Sequence, residues 1–170
     1  MSDLETTAHD LSKLIISIFR LNGRIIEWGD LLGLPLGLTS ARWQILGAIE
    51  LAGEPQTAPQ ISRAMGITRQ GAQKQLNSMM LSGLIGQKNN PIHERSYLYD
   101  LTDQGRTVFR KIQAAYTARL EEVMSGVSSQ SLNTAQSVLR SLTLNIEGQA
   151  VHKNGKARRP NKGNHNDQSA

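Results

Sequence analysis

The chain of 170 residues has no cysteine. That absence excludes disulfides, thiolate zinc sites and cysteine-based peroxide sensing within it. No apolar run is long enough to span a membrane and no signal peptide is recognisable, so a cytoplasmic protein with no membrane partner is expected. Its four histidines, His9, His93, His152 and His165, are widely separated. None stands in a Gly-rich phosphate loop or a metal-ligand motif, and no Ser, His and acid cluster has a recognisable catalytic context. The sequence argues against an enzyme, and it calls for neither a metal nor a cofactor. Its length suits one domain with a core.

The formal charge of +5 is unevenly spread. Residues 151–170 hold five Lys or Arg and one Asp, which leaves 14 basic and 13 acidic groups for the first 150. The basic character therefore belongs mostly to the tail. Without aromatics or apolar periodicity, that tail is expected to be disordered. It suits either salt-sensitive, non-specific attraction to phosphate or plain solubilisation.

A second local imbalance is more informative. Between residues 60 and 99, Arg63, Arg69, Lys74, Lys88 and Arg95 are opposed by one acid, Glu94. The run ISRAMGITRQGAQKQLNSMMLSGLI predicts two short helices around a tight turn. The first spans about residues 59–65, with Ile61 and either Ala64 or Met65 inward, and stops at Gly66, whose missing Cβ permits the turn. Thr68 is placed to cap the second helix, although Gly71 stands where a capping box would need Glu or Gln.

In that second helix Ala72, Leu76, Met79 and Met80 recur at spacings of three and four and predict a buried stripe. Arg69, Gln70, Gln73, Lys74 and Asn77 are left outward, with no acid among them. Such side chains pair with base edges or phosphates when a helix enters the major groove. A face that water merely solvates has the same composition, but the surrounding positive charge favours nucleic acid. Downstream, residues 86–90 and 96–101 read as short strands around Asn90-Pro91-Ile92-His93-Glu94-Arg95. Arg95 at the tip and Lys88 beside it are suited to backbone phosphate or the minor groove. A purely structural loop also fits the hairpin taken alone.

The flanking segments predict further helices. Leu11, Leu14, Ile15, Ile18, Leu21, Ile25 and Ile26 make an apolar face over about residues 8–28, wider than a lone surface helix needs. A long helix from Thr102 to about Met124 carries Val108, Phe109, Ile112, Ala115, Tyr116 and Leu120. After SGVSSQS a last helix carries Leu132, Ala135, Val138, Leu139, Leu142 and Ile146. These faces suit either a second copy of the chain or closure of a monomeric core. Trp43 shares an apolar face with Leu46 and Ile49 and reads first as a core residue, whereas Trp28 lies among Glu27, Gly29 and Asp30.

Over about residues 10–148 the chain resembles the multiple-antibiotic-resistance regulator (MarR) family of winged helix-turn-helix transcription factors. LTSARWQILGAIE at 38–50 resembles its first core helix, and TAPQISRAMGITRQGAQKQLNSMMLSGLI its helix-turn-helix. NPIHERSYLYDLTDQG resembles its wing, with Leu101, Thr102 and Gly105 in the Leu-Thr-x-x-Gly sequence that opens the next helix. The family's acid-x-Arg triplet is replaced by His93, Glu94 and Arg95. Arg95 is matched, and the acid that would steady it is not.

The resemblance implies a mainly α fold with a small β-hairpin wing: a helical dimerisation part at 1–35, a DNA-binding lobe at 36–101, dimerisation helices at 102–150 and the basic tail at 151–170. It implies DNA contact through Thr68, Arg69, Gln70, Gln73, Lys74, Asn77, Lys88 and Arg95. It also implies a homodimer joined through Leu11, Ile15, Ile18, Leu132, Leu139 and Leu142. Two reading helices about one DNA turn apart would match a pseudo-palindromic double-stranded operator. Similar regulators often hold small aromatic or amphipathic effectors between the dimer helices and the reading lobe, where His9, Trp28, Arg42 and Trp43 fall by position. The function implied is a ligand-responsive repressor. A constitutive or architectural DNA-binding protein is the first alternative. The second is a protein-binding winged helix, for which His93 and Glu94 speak.

Overall fold

The computed structural model describes residues 3–156. Helix α1 (Asp3–Gly33) leads through a 3-10 turn at Leu34–Leu36 to α2 (Ser40–Ala52) and the short strand β1 (Gln56–Thr57). Then come α3 (Ala58–Met65), α4 (Arg69–Leu81), β2 (Ile85–Lys88), β3 (Leu98–Leu101), α5 (Asp103–Met124) and α6 (Ser129–Lys156). The architecture is mainly helical with one small antiparallel sheet of order β1-β3-β2, a winged helix-turn-helix. The chain divides into two compact units, the first ending at Glu121 and the second beginning at Glu122.

In the first unit α1 extends beyond the expected 8–28, because nothing interrupts the helix until Pro35. Two of its glycines serve packing: a Cβ at Gly29 would lie 2.8 Å from Ser40 Oγ, and one at Gly33 would overlap the Leu38 carbonyl. Asp30 Oδ1 accepts from the Ser40 amide at 2.5 Å, tying the end of α1 to the start of α2. Ile18 is half-buried, but Leu11, Leu14, Ile15, Leu21, Ile25 and Ile26 stay exposed. The broad apolar face read from the sequence is therefore not consumed by the core.

That core joins Leu38, Ile45, Leu46 and Ile49 to Ile61, Leu76 and Met79, then to Leu84, Ile85, Tyr99, Leu101 and Ile112. Helix α3 begins with a full capping box: Thr57 Oγ1 accepts from the Gln60 amide, and Gln60 Oε1 accepts from the Thr57 amide. Gly66 ends it at φ 62°. Ile61 is buried and Met65 packs on the core, whereas Ala64 is exposed, which settles the inward position.

The Leu-Thr-x-x-Gly motif has a mechanical role. Thr102 Oγ1 donates to the Gly83 carbonyl at 2.6 Å and accepts from the Gly105 amide at 3.0 Å, capping α5 while binding it to the end of α4. A Cβ at Gly105 would overlap the Leu84 carbonyl, so α5 can sit this close only with glycine there. Ile112 on α5 is fully buried with the reading lobe's residues. The expected boundary at 101/102 accordingly marks no break in packing.

The second unit holds the end of α5 and α6. Gly126, at φ 79°, turns the chain between them, and Ser128 Oγ accepts from the Ser131 amide at 3.1 Å. Leu132 and Leu139 are exposed and Leu142 is half-buried. The backbone stays helical through Lys156, into the start of the segment expected to be disordered from residue 151. Once nucleated, a helix gains one hydrogen bond per added residue, and no proline intervenes before Pro160. The rest of the expected disordered tail, 157–170, and His165 within it lie outside the described residues.

Candidate nucleic-acid interface

Helix α4 is seated by its own sequence. Thr68 is extended at φ −68°, ψ 151°, and its hydroxyl accepts from the Gly71 amide at 3.0 Å. Ala72, Leu76 and Met79 are fully buried and Met80 half-buried, so the predicted stripe faces the core. Positions 69, 70, 73, 74 and 77 then lie along the opposite face. Arg69, Gln70, Lys74 and Asn77 are exposed there, and α4 carries no Asp or Glu.

Gln73 departs from the picture of a free reading side chain. It is half-buried, and its amide nitrogen donates to Asn77 Oδ1 at 2.9 Å and to the Tyr99 hydroxyl at 3.0 Å. Tyr99 lies on the central strand β3, paired with Gln56 of β1 and Gln87 of β2. Sequence reading missed it because 26 residues separate the two partners.

The wing is the loop of residues 89–97 between β2 and β3. Lys88, at the end of β2, and Arg95, in the loop, are exposed and flank it. Asn90 holds the backbone at the start of the loop. Its side chain is buried, and its Oδ1 accepts from the amides of Ile92 at 3.0 Å and His93 at 3.3 Å. The Ser96 amide closes a second turn on the His93 carbonyl at 2.9 Å. Asn followed by Pro is a sequence signal for such a turn, and it fixes backbone without spending a charge.

A polar bridge braces the lobe behind this face. Arg106 Nη1 meets Glu50 Oε2 at 2.6 Å, and its Nη2 meets Asp100 Oδ1 at 2.7 Å, linking α5 to α2 and β3. All three side chains are about a third exposed or more, so the bridge is better understood as fixing orientation than as a large source of stability.

The effector candidates separate. Trp28 and Trp43 are half-buried and meet around Tyr116, with ring centroids 5.5 Å and 5.2 Å from it. Trp43 also packs on the core. Arg42 turns away to donate to Ser78 Oγ of α4 at 2.6 Å. His9 is exposed, about 28 Å along α1 from Trp28 at the helical rise, so the chain does not bring it to the tryptophans. A shallow cavity of about 560 Å³ lies elsewhere, between Glu50 and Phe109, Arg110, Gln113 and Thr117, and none of the four candidates lines it.

Residues 36–96, from the end of the 3-10 turn into the wing, match the family model described as "MarR family". The crystal structure of a MarR family transcription regulator, 28% identical, superposes with a TM-score of 0.70, covering 88% of this chain and 98% of that one. A mutant MarR from E. coli complexed with operator DNA is 20% identical, with a TM-score of 0.69 over 83% of this chain and 99% of that one. CouR from Rhodococcus jostii RHA1, bound to p-coumaroyl-CoA, is 18% identical, with a TM-score of 0.69 over 76% and 90%. The last two share the fold. The sequence match falls on the helix pair and wing while the structural match extends over most of the chain, so the protein is similar to MarR family transcription regulators in its helix-turn-helix and wing and in its fold.

Proposed function

We propose that the protein is a ligand-responsive repressor that binds a pseudo-palindromic double-stranded DNA operator as a homodimer. The observation that carries this reading is the acid-free outward face of α4. It is held by the Thr68 cap and the buried stripe, with Arg69, Gln70, Gln73, Lys74 and Asn77 along it and Lys88 and Arg95 on the neighbouring wing. In this reading α4 enters the major groove, and Arg95 and Lys88 hold phosphate or the minor groove beside it. Operator DNA in the complex of the E. coli relative supports the assignment.

The dimer is proposed on the exposed apolar side chains of α1, Leu11 and Ile15 with the half-buried Ile18, and on Leu132, Leu139 and Leu142 of α6. Residues 1–35 and 102–150 would then join the copies and residues 36–101 read the DNA. Response to a ligand is proposed through the Trp28, Trp43 and Tyr116 cluster, whose ring faces suit an aromatic or amphipathic effector. The ligand-bound CouR supports this reading. The effector would act by favouring a spacing of the reading heads that no longer meets successive major grooves, which requires different affinities for the two states.

Selection of bound sites from genomic fragments, followed by a screen of aromatic acids and other metabolites for release of the best site, tests the whole reading. A selected two-fold site that an effector releases is the expected result. A specific site that no effector in a broad screen releases would favour the constitutive alternative. Failure to select any site would favour a protein-binding winged helix.

A further inference from the structure

An amide nitrogen carries two hydrogens, and both of Gln73's are used inside the protein, one on Asn77 and one on the Tyr99 hydroxyl. Only Oε1 is left to meet a ligand. A free glutamine ordinarily reads adenine with both arms, its nitrogen donating to N7 while its oxygen accepts from N6. With the nitrogen occupied, the N7 arm is lost. The holding group is itself packed in the core: Tyr99 is 3% exposed and lies on the middle strand of the sheet.

We propose that Tyr99 is a specificity-determining positioning residue, which holds the Gln73 amide so that its oxygen alone faces the major groove and selects a base bearing an exocyclic amine. Adenine N6 and cytosine N4 supply that donor. Guanine presents O6 and N7 and thymine presents O4, acceptors that a second acceptor repels. The half-site position under Gln73 therefore accepts adenine or cytosine on the contacted strand and rejects guanine and thymine. This inference rests on the reading of α4 as the helix that enters the groove.

The test varies each base pair of a selected half-site singly and measures affinity at one salt concentration for the parent, Tyr99→Phe, Gln73→Ala and Gln73→Glu. In the parent one position should favour adenine and cytosine together. Tyr99→Phe keeps the buried ring and frees one amide hydrogen for N7, so adenine should gain over cytosine at that position by about threefold to tenfold, the range of one neutral hydrogen bond. Gln73→Ala should flatten the same position. Gln73→Glu keeps an outward acceptor, so the order of bases should persist while overall affinity falls.

A preference for guanine or thymine at the Gln73-dependent position would overturn the proposal. So would an unchanged base profile in folded Tyr99→Phe, or a reversed order in Gln73→Glu. If Tyr99→Phe does not fold, the two Gln73 variants decide. A parent that selects no site overturns the reading of α4 itself, whereas a selected site whose profile Gln73→Ala leaves intact overturns only this inference.

Discussion

Replacing Gly105 by alanine sets two physical effects against each other. Inside a helix alanine is preferred over glycine by about 1 kcal/mol, so propensity alone predicts a more stable protein. The packing predicts the reverse. A Cβ at Gly105 would stand 3.0 Å from the Leu84 carbonyl carbon and closer still to its oxygen, and backbone cannot rotate away as a side chain can. Relief requires α5 to move off the Leu84 backbone, which strains the Thr102 bonds to Gly83 and Gly105. Overpacking costs about 1–3 kcal/mol and a weakened cap about 1 kcal/mol, so after the propensity gain the net loss is about 1–3 kcal/mol. Urea unfolding at fixed protein concentration reads this as a lower midpoint with an unchanged slope. Gly23, in mid-α1 with nothing near its missing Cβ, is the internal control, and Gly23→Ala should raise the midpoint. A Gly105→Ala midpoint at or above the parent's would refute the close-approach argument.

Other expectations concern binding and assembly. The double substitution Gln73→Ala, Lys74→Ala should keep the fold and weaken specific operator binding by more than about 1 kcal/mol, the lower range for one good base contact. Equal affinity of mutant and parent at one salt concentration would defeat that assignment. Arg95→Ala should weaken binding to most sequences alike and reduce the salt slope by about 0.9, one phosphate contact. Unchanged slope and affinity would take the wing out of the interface. Ile15→Asp or Leu139→Asp should impair dimerisation, since each places a charge in the proposed seam at a desolvation cost of several kcal/mol. Solution mass decides this, and a parent that stays monomeric at micromolar concentration, with or without DNA, removes the seam.

What the sequence determined by itself was local. A threonine before a helix, a glycine that can take positive φ and an apolar recurrence every three to four residues act over a few bonds. Hence Thr68, Gly66 and the stripe of Ala72, Leu76 and Met79 were legible, and so was the outward face of α4. The Thr57–Gln60 capping box was equally local and went unread, because the short α3 carries little apolar pattern to point back to it. Strand β1, of two residues, is too short to show a period of two and exists only because β3 offers it partners.

Only the tertiary structure decided the rest, because it depended on distance through space. Arg106 finds Glu50 across 56 positions of sequence. Trp28 and Trp43 meet through Tyr116, a residue of a third helix. The sequence named Gln73 as a reader, but the fold tied its nitrogen to Tyr99. Residue type determines which bonds a side chain is able to make, and packing determines which of them remain for a partner.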